Sequence, residues 1–167
     1  MERKIPTWDE YFLGLSFLIS QRSKDSQTQH GCVIVDNNKH IIGCGYNSFP
    51  KGMNDKTLPV ERPDKYDWMI HSEVNAVSNC SIKPYRCTAY VTGEPCNNCL
   101  MHMHQNDIAK VVYADRHGSV LINEKTRAVR ERFLQDSKIQ LVAVEEWEGY
   151  LLWISKFLHV NNLSINN

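Results

Sequence analysis

The sequence is short of three things: a surplus of charge of either sign, a long apolar run, and cysteines spaced as partners. Its 19 Lys and Arg balance 19 Asp and Glu and the pI is about 7.0, so no broad positive field exists to hold a phosphate polymer. Long nucleic acid is therefore excluded as the leading partner. The longest apolar stretches reach about half of the roughly 20 residues that a membrane span needs, and the start, Met1-Glu2-Arg3-Lys4-Ile5-Pro6, lacks the apolar region of a signal peptide. No membrane partner is expected, and the expected location is cytoplasmic. No repeat and no second domain are visible. With 167 residues, 42% apolar and 10% aromatic, the expectation is a single domain over 1–160 with its own core, followed by a polar tail over 161–167.

Six cysteines are present, and only Cys96-Asn97-Asn98-Cys99 has ligand spacing. In a reducing compartment Cys32, Cys44, Cys80 and Cys87 read as small buried apolar residues. Thr7-Trp8-Asp9-Glu10 reads as a helix start with a capping box, followed by a stripe of Trp8, Tyr11, Phe12, Leu15, Leu18 and Ile19 expected to face the core. Cys32 to Val35 and Ile41 to Tyr46, joined by Asp36-Asn37-Asn38, read as a hairpin. From Asn47 to Trp68, with Pro50, Pro59 and Pro63, the chain reads as a long loop, and loops of that length inside compact domains are functional or disordered. Helices are then expected near 71–79, 96–105 and 123–134, with strands near 88–91, 110–113 and 140–144. Trp147, Tyr150, Leu151, Ile154, Phe157 and Leu158 pattern a last amphipathic helix, facing either the core or a second subunit. Alternation of this kind implies an α/β fold of three layers, α/β/α, around a mixed sheet of about five strands.

Two motifs carry chemistry. His71-Ser72-Glu73 opens one expected helix, and Pro95-Cys96-Asn97-Asn98-Cys99 opens the next. One imidazole and two thiolates suit Zn²⁺, and three protein ligands leave a fourth tetrahedral position open, as in catalytic sites. Pro95 fits a helix's first turn, and the helix N-terminus favours the negative charge of Cys96 and Cys99. A two-residue spacing brings His71 and Glu73 into one cavity only at a helix start. Zinc lowers the pKa of water toward neutrality, and a carboxylate beside it, Glu73, can carry the proton to a substrate. H-x-E followed by P-C-x-x-C, with the Glu as a non-ligand acid/base, is the signature of zinc deaminases acting on cytosine or adenine. His30, His40, His102, His104, His117 and His159 lack such spacing to a cysteine.

From about Tyr11 to Val144 the chain resembles the deoxycytidylate (dCMP) deaminases of the cytidine deaminase-like superfamily. The blocks that carry the resemblance are Gln21-Arg22-Ser23-Lys24-Asp25, Thr28-Gln29-His30-Gly31, Gly45 to Gly52, Leu58-Pro59, Lys65-Tyr66, His71 to Ala76, and Pro95 to Cys99. The resemblance implies hydrolysis of dCMP to dUMP and ammonia, supplying thymidylate synthesis. It implies one catalytic zinc on His71, Cys96 and Cys99, with Glu73 moving protons. Asn47 would bind the deoxyribose 3′-hydroxyl, and Tyr113, Asp115, Arg116 and His117 would lie near the 5′-phosphate. It further implies a homohexamer activated by dCTP and inhibited by dTTP, with Mg²⁺ accompanying the triphosphate. Arg22, Lys24, Asn47, Phe49, Lys51 and Gly52 are the candidates for that regulatory site.

The chain departs from the family pattern at Ser72, where Ala is usual, and at Ser48, where Gly is usual. Ser72 is expected to face away from the metal, and Ser48 to alter the loop and the effector response. Rival readings are a deaminase of another free cytosine nucleotide such as dCTP, a tRNA or DNA deaminase, a pterin-type riboflavin-pathway deaminase, and a non-catalytic zinc-bound nucleotide sensor. Zero net charge argues against the polymer enzymes. The absence of an insert between Cys96 and Cys99 argues against the riboflavin type.

Overall fold

Helix α1 (Trp8–Ser20) starts on a reciprocal cap: Glu10 N–H donates to the Thr7 hydroxyl at 3.2 Å, and Thr7 N–H to the Glu10 carboxylate at 2.6 Å. The computed structural model describes residues 5–116 and 123–152. After α1 the chain forms strands β1 (Gly31–Val35) and β2 (Ile41–Tyr46). Helix α2 (Ser72–Ser78), strand β3 (Cys87–Val91), helix α3 (Asn97–Gln105) and strand β4 (Ile108–Ala114) follow, then helix α4 (Glu124–Ser137) and strand β5 (Gln140–Val144). The sheet order is β2-β1-β3-β4-β5. β1 runs antiparallel to β2 and β3, while β3, β4 and β5 are parallel. This is the expected mixed five-stranded sheet.

Strand alternation divides the core into two faces. Val33, Val35, Tyr90, Val112 and Ala114 pack against Phe12 and Leu13 of α1. Cys32, Ile34, Ala89, Val91, Val111 and Tyr113 face the other way, onto Ala76 of α2 and Leu100 and Met103 of α3, with Phe133 and Leu134 of α4 beside them. Helices thus cover both faces. Glycine lets two of them approach closely. A Cβ at Gly45 would lie 2.4 Å from the Ala76 nitrogen, and one at Gly31 2.0 Å from the Ser16 carbonyl oxygen.

The Gly31 contact corrects the expected face of α1. Phe12 is buried and Tyr11, Leu15 and Ile19 border the core, but Trp8 is 55% and Leu18 62% exposed. The face seated on the sheet instead includes Leu13, Ser16 and Ser20. Both serines spend their hydroxyls on the helix itself, at 2.7 Å to the Leu13 and Phe17 carbonyls, so small polar residues line the close contact without unpaired groups. The cysteine expectation holds for Cys32 and Cys87, which are buried, and Cys80 is half-buried. Cys44 is exposed, because it points outward from β2 at the sheet edge.

The segment between β2 and α2 is tied down as a wall. Ser48 and Ile70 form a bridge with N–H to carbonyl distances of 3.1 and 2.8 Å. A single 3-10 turn at Asp64–Asp67 puts Lys65 inside. Residues 147–152 are helical, and Trp147 stacks on Phe17 at 5.2 Å on the α1 face. Ile154, Phe157, Leu158 and the tail at 161–167 lie outside the described residues, as does His117. Among the described residues no helix is long and apolar enough to cross a membrane.

Candidate metal centre and active site

Both chemical motifs fall at helix starts. His71 is the N-cap of α2, with φ −69° and ψ 152°, and Cys96 is the N-cap of α3, with φ −69° and ψ 164°. The extended backbone of a cap turns its side chain off the helix end, so both caps face the gap between the two helices. Cys99, one turn into α3, completes the set. The donor atoms of His71, Cys96 and Cys99 all lie within 4.8 Å of one another. His71 Nδ1 is 3.3 Å from the Cys99 sulfur and 3.7 Å from that of Cys96.

The electrostatics of the cluster are those of a cation site. The Cys96 thiol is held well below its ordinary value, first by its hydrogen bond with Cys99 and then by His71 and the Cys99 N–H. Cys99 is pushed up by that same bond and by burial. His71 is raised, chiefly by its bond to Cys96. A dication held among these donors would let both thiols ionise. One nitrogen and two sulfurs fit Zn²⁺ in both softness and number.

Glu73, in the first turn of α2, is buried. Burial pushes its carboxyl above the ordinary range, against its own backbone N–H, His71 and Ser72, which favour the charged form. Ser72 does not face away. It is fully buried, lines the same cavity as Glu73, and donates to Glu73 Oε2 at 2.8 Å. Ser48 likewise finds a partner, accepting from Asn75 Nδ2 at 3.1 Å and tying the loop to α2.

The cavity beside this cluster is about 190 Å³ and is lined by His71, Ser72, Glu73 and Cys96 on the metal side. Asp25, Thr28, His30, Asn47, Arg62, Lys65, Tyr66 and Met69 close it opposite, with Gly93 and Glu94 between. Asn47, singled out from the sequence, is among the lining residues. Its Oδ1 accepts from His30 N–H at 2.8 Å, and its Nδ2 donates to the Thr28 carbonyl at 2.9 Å. Tyr113, Asp115 and Arg116 lie outside the lining. Arg116 donates to the Gln29 carbonyl at 3.3 Å and sits 5.9 Å from the Phe17 ring centroid. Of the regulatory candidates, Arg22, Lys24, Lys51 and Gly52 are exposed, while Asn47 and Phe49 are buried. Lys24 pairs with Asp55 at the surface.

Sequence reasoning missed the ion pair behind the cavity. Lys65, 2% exposed, meets Asp25 Oδ1 at 2.6 Å, and the Gln27 and Thr28 N–H groups donate to the same oxygen at 2.9 and 3.0 Å. Burial works to raise the Asp25 carboxyl, but these donors override it and hold it below its ordinary value of 3.8. A signal existed, since Asp25 and Lys65 both fall in blocks that carry the family resemblance. Arg62, Glu94 and Arg130 were also missed, and no motif marks them.

A mixed five-stranded α/β/α sheet with a His-Cys-Cys cation site at two helix starts, and a buried carboxylate beside it, defines the zinc deaminase class. Residues 6–115 match the model of the cytidine and deoxycytidylate deaminase zinc-binding region, and the chain belongs to that family. It is 37% identical over 134 residues to the deoxycytidylate deaminase of Mus musculus, covering 75% of this chain and 74% of that one. With the Homo sapiens deoxycytidylate deaminase it shares 38% over 113 residues, 64% of each. Its fold superposes on the dCMP deaminase of cyanophage S-TIM5, solved with dCMP and dUMP, with a TM-score of 0.68. That match has 21% identity and covers 85% of this chain and all of that one.

Proposed function

We propose that this chain hydrolyses dCMP to dUMP and ammonia, supplying thymidylate synthesis. The observation that carries the reading is the single cavity in which Glu73, His71 and Cys96 face Asn47 and the Asp25–Lys65 wall. Its match to deoxycytidylate deaminases in two mammals supports the substrate. When bound, zinc supplies the Lewis acidity that makes water a nucleophile at neutral pH. Glu73 takes a proton from the attacking water and delivers it to ring N3. It then carries the remaining proton of the new C4 hydroxyl to the exocyclic amine, which leaves as ammonia as the C4 carbonyl forms. Burial, by raising this carboxyl, makes its carboxylate a better proton acceptor than an ordinary one while leaving it able to hand the proton on, which suits a group that must both take and give. Asn47 orients the sugar, and Tyr66 and Met69 help enclose the base.

Two cations compete for the 5′-phosphate. Arg116, expected from the sequence, is held by Gln29 and Phe17. Arg62 lines the cavity with only neutral partners among the described residues, the Thr28 hydroxyl at 2.8 Å and the Tyr66 ring. Lys65 is neutralised by Asp25 and is not available. Control by dCTP and dTTP with Mg²⁺ at Arg22, Lys24, Lys51 and Gly52, and a homohexamer in the cytoplasm, belong to the same proposal and rest on the family resemblance. Ammonia release from dCMP, deoxycytidine, CMP and dCTP, with and without effector triphosphates, tests it. Preference for dCMP supports the reading, and equal rates on deoxycytidine overturn a phosphate-reading cavity.

A further inference from the structure

We propose that Arg130 of α4 is a positioning residue for the metal centre, clamping the turn that carries Cys96 and fixing Glu94 in the cavity wall. The inference rests on the reading of His71, Cys96 and Cys99 as the zinc site. Arg130 is the buried residue of α4, at 7% exposure. Its three guanidinium nitrogens each go to a different residue around the ligand. Nε donates to Asn97 Oδ1 at 2.9 Å, Nη2 donates to the Pro95 carbonyl at 2.6 Å, and Nη1 pairs with the Glu94 carboxylate. Asn97 in turn donates from Nδ2 to the Thr126 carbonyl of α4 at 3.0 Å. Cys96 is therefore held from both sides in sequence, by residues 94 and 95 before it and 97 after it, without being touched by the clamp.

Docking of α4 does not require this arrangement. Phe133 and Leu134 already pack against the core on the α3 side, and Phe133 meets His104 edge-on at 5.5 Å. A buried guanidinium is a poor source of net stability, because its desolvation offsets most of what its partners return. What the planar fork supplies is geometry: three donors fixed in direction, which a lysine ammonium cannot reproduce. Groups that orient metal ligands in this way typically change metal affinity by about 10- to 100-fold when removed. Because Glu94 and Glu73 line one cavity, the clamp also keeps the cavity wall in register with the metal turn.

The test compares Arg130→Lys, Arg130→Met and the control Arg132→Met, which removes an exposed arginine of the same helix paired with Asp136. Zinc loss from the purified holoprotein to a chelator is followed, together with the absorption of the cobalt-substituted protein, whose thiolate bands report the ligand geometry. Wild-type behaviour is expected for Arg132→Met, with zinc loss about tenfold faster for Arg130→Lys and up to about a hundredfold faster for Arg130→Met, each with shifted cobalt bands. Should Arg130→Met fail to fold, Arg130→Lys decides, since it keeps the charge opposite Glu94 and loses only the fork. Zinc-loaded wild type alongside Arg130→Lys with unchanged chelation and cobalt spectrum overturns the clamp alone. A wild type that takes up no zinc overturns the metal reading and the clamp with it.

Discussion

The two walls of the cavity are built on opposite plans. On the metal side, His71, Glu73, Cys96 and Cys99 come from the first turns of two helices, and each helix sets the direction of its own cap. On the facing side, the wall is closed by pairs far apart in the chain, Lys65 on Asp25 and Arg62 on Thr28, 40 and 34 residues apart. The first side owes its shape to local backbone geometry, backed at Cys96 by Arg130. The second owes it to a buried charge pair between distant parts of the chain. The metal-binding donors thus sit on helix starts, while the wall that faces them is a loop held by electrostatics.

Breaking each wall in turn sharpens this contrast. Glu73→Gln removes the proton carrier while sparing the helix start, and should lower kcat by about 10²- to 10⁴-fold with zinc content unchanged by metal analysis. Activity within a factor of about ten of wild type would sink the role of the metal wall. Lys65→Met strands the Asp25 carboxylate, and a loss of about 3–5 kcal/mol is expected in urea unfolding. The pH dependence has a definite sign. The Asp25 carboxyl is depressed in the folded chain, so its contribution is complete above the unfolded carboxylate's pKa and is lost as pH falls through the lower folded value. Wild type should therefore lose stability through that acid window more steeply than Lys65→Met, and parallel curves would show that the pair does not hold the wall.

Away from both walls, Leu13→Ala should cost about 2–5 kcal/mol and Leu18→Ala less than about 0.5 kcal/mol, since only Leu13 is buried. Equal costs would restore the face of α1 expected from the sequence. The smallest effect concerns the phosphate. Arg62→Ala should raise KM for dCMP about tenfold and leave deoxycytidine unaffected, the loss of one charge-assisted hydrogen bond. The same split in Arg116→Ala, with Arg62→Ala silent, would return that role to the residue expected from the sequence.

Legibility followed distance along the chain. The capping box at Thr7 and Glu10, the hairpin, and the helix starts at His71 and Cys96 were readable because consecutive residues set them. The face of α1 was misread because hydrophobic period ranks side chains by oiliness, whereas the contact at Gly31 selects by size and seats Ser16 and Ser20. Ser72 was misplaced for a related reason. At a helix start the first-turn side chains surround the axis end, so mid-helix angles do not apply, and Ser72 reaches Glu73. Arg130 on a polar helix carries no pattern at all, and only its three partners reveal it.

The sequence by itself determined the chemistry: which donors could bind a metal, which carboxylate could move a proton, and that both lay at helix starts. Those are matters of residue type and spacing over three or four positions, where backbone geometry leaves little choice. Tertiary structure alone decided what faces that chemistry, namely Asp25 with Lys65, Arg62 in place beside the cavity, and Arg130 behind Cys96. Long-range partners are chosen by burial, and a charge taken from water must find its opposite wherever the fold delivers it.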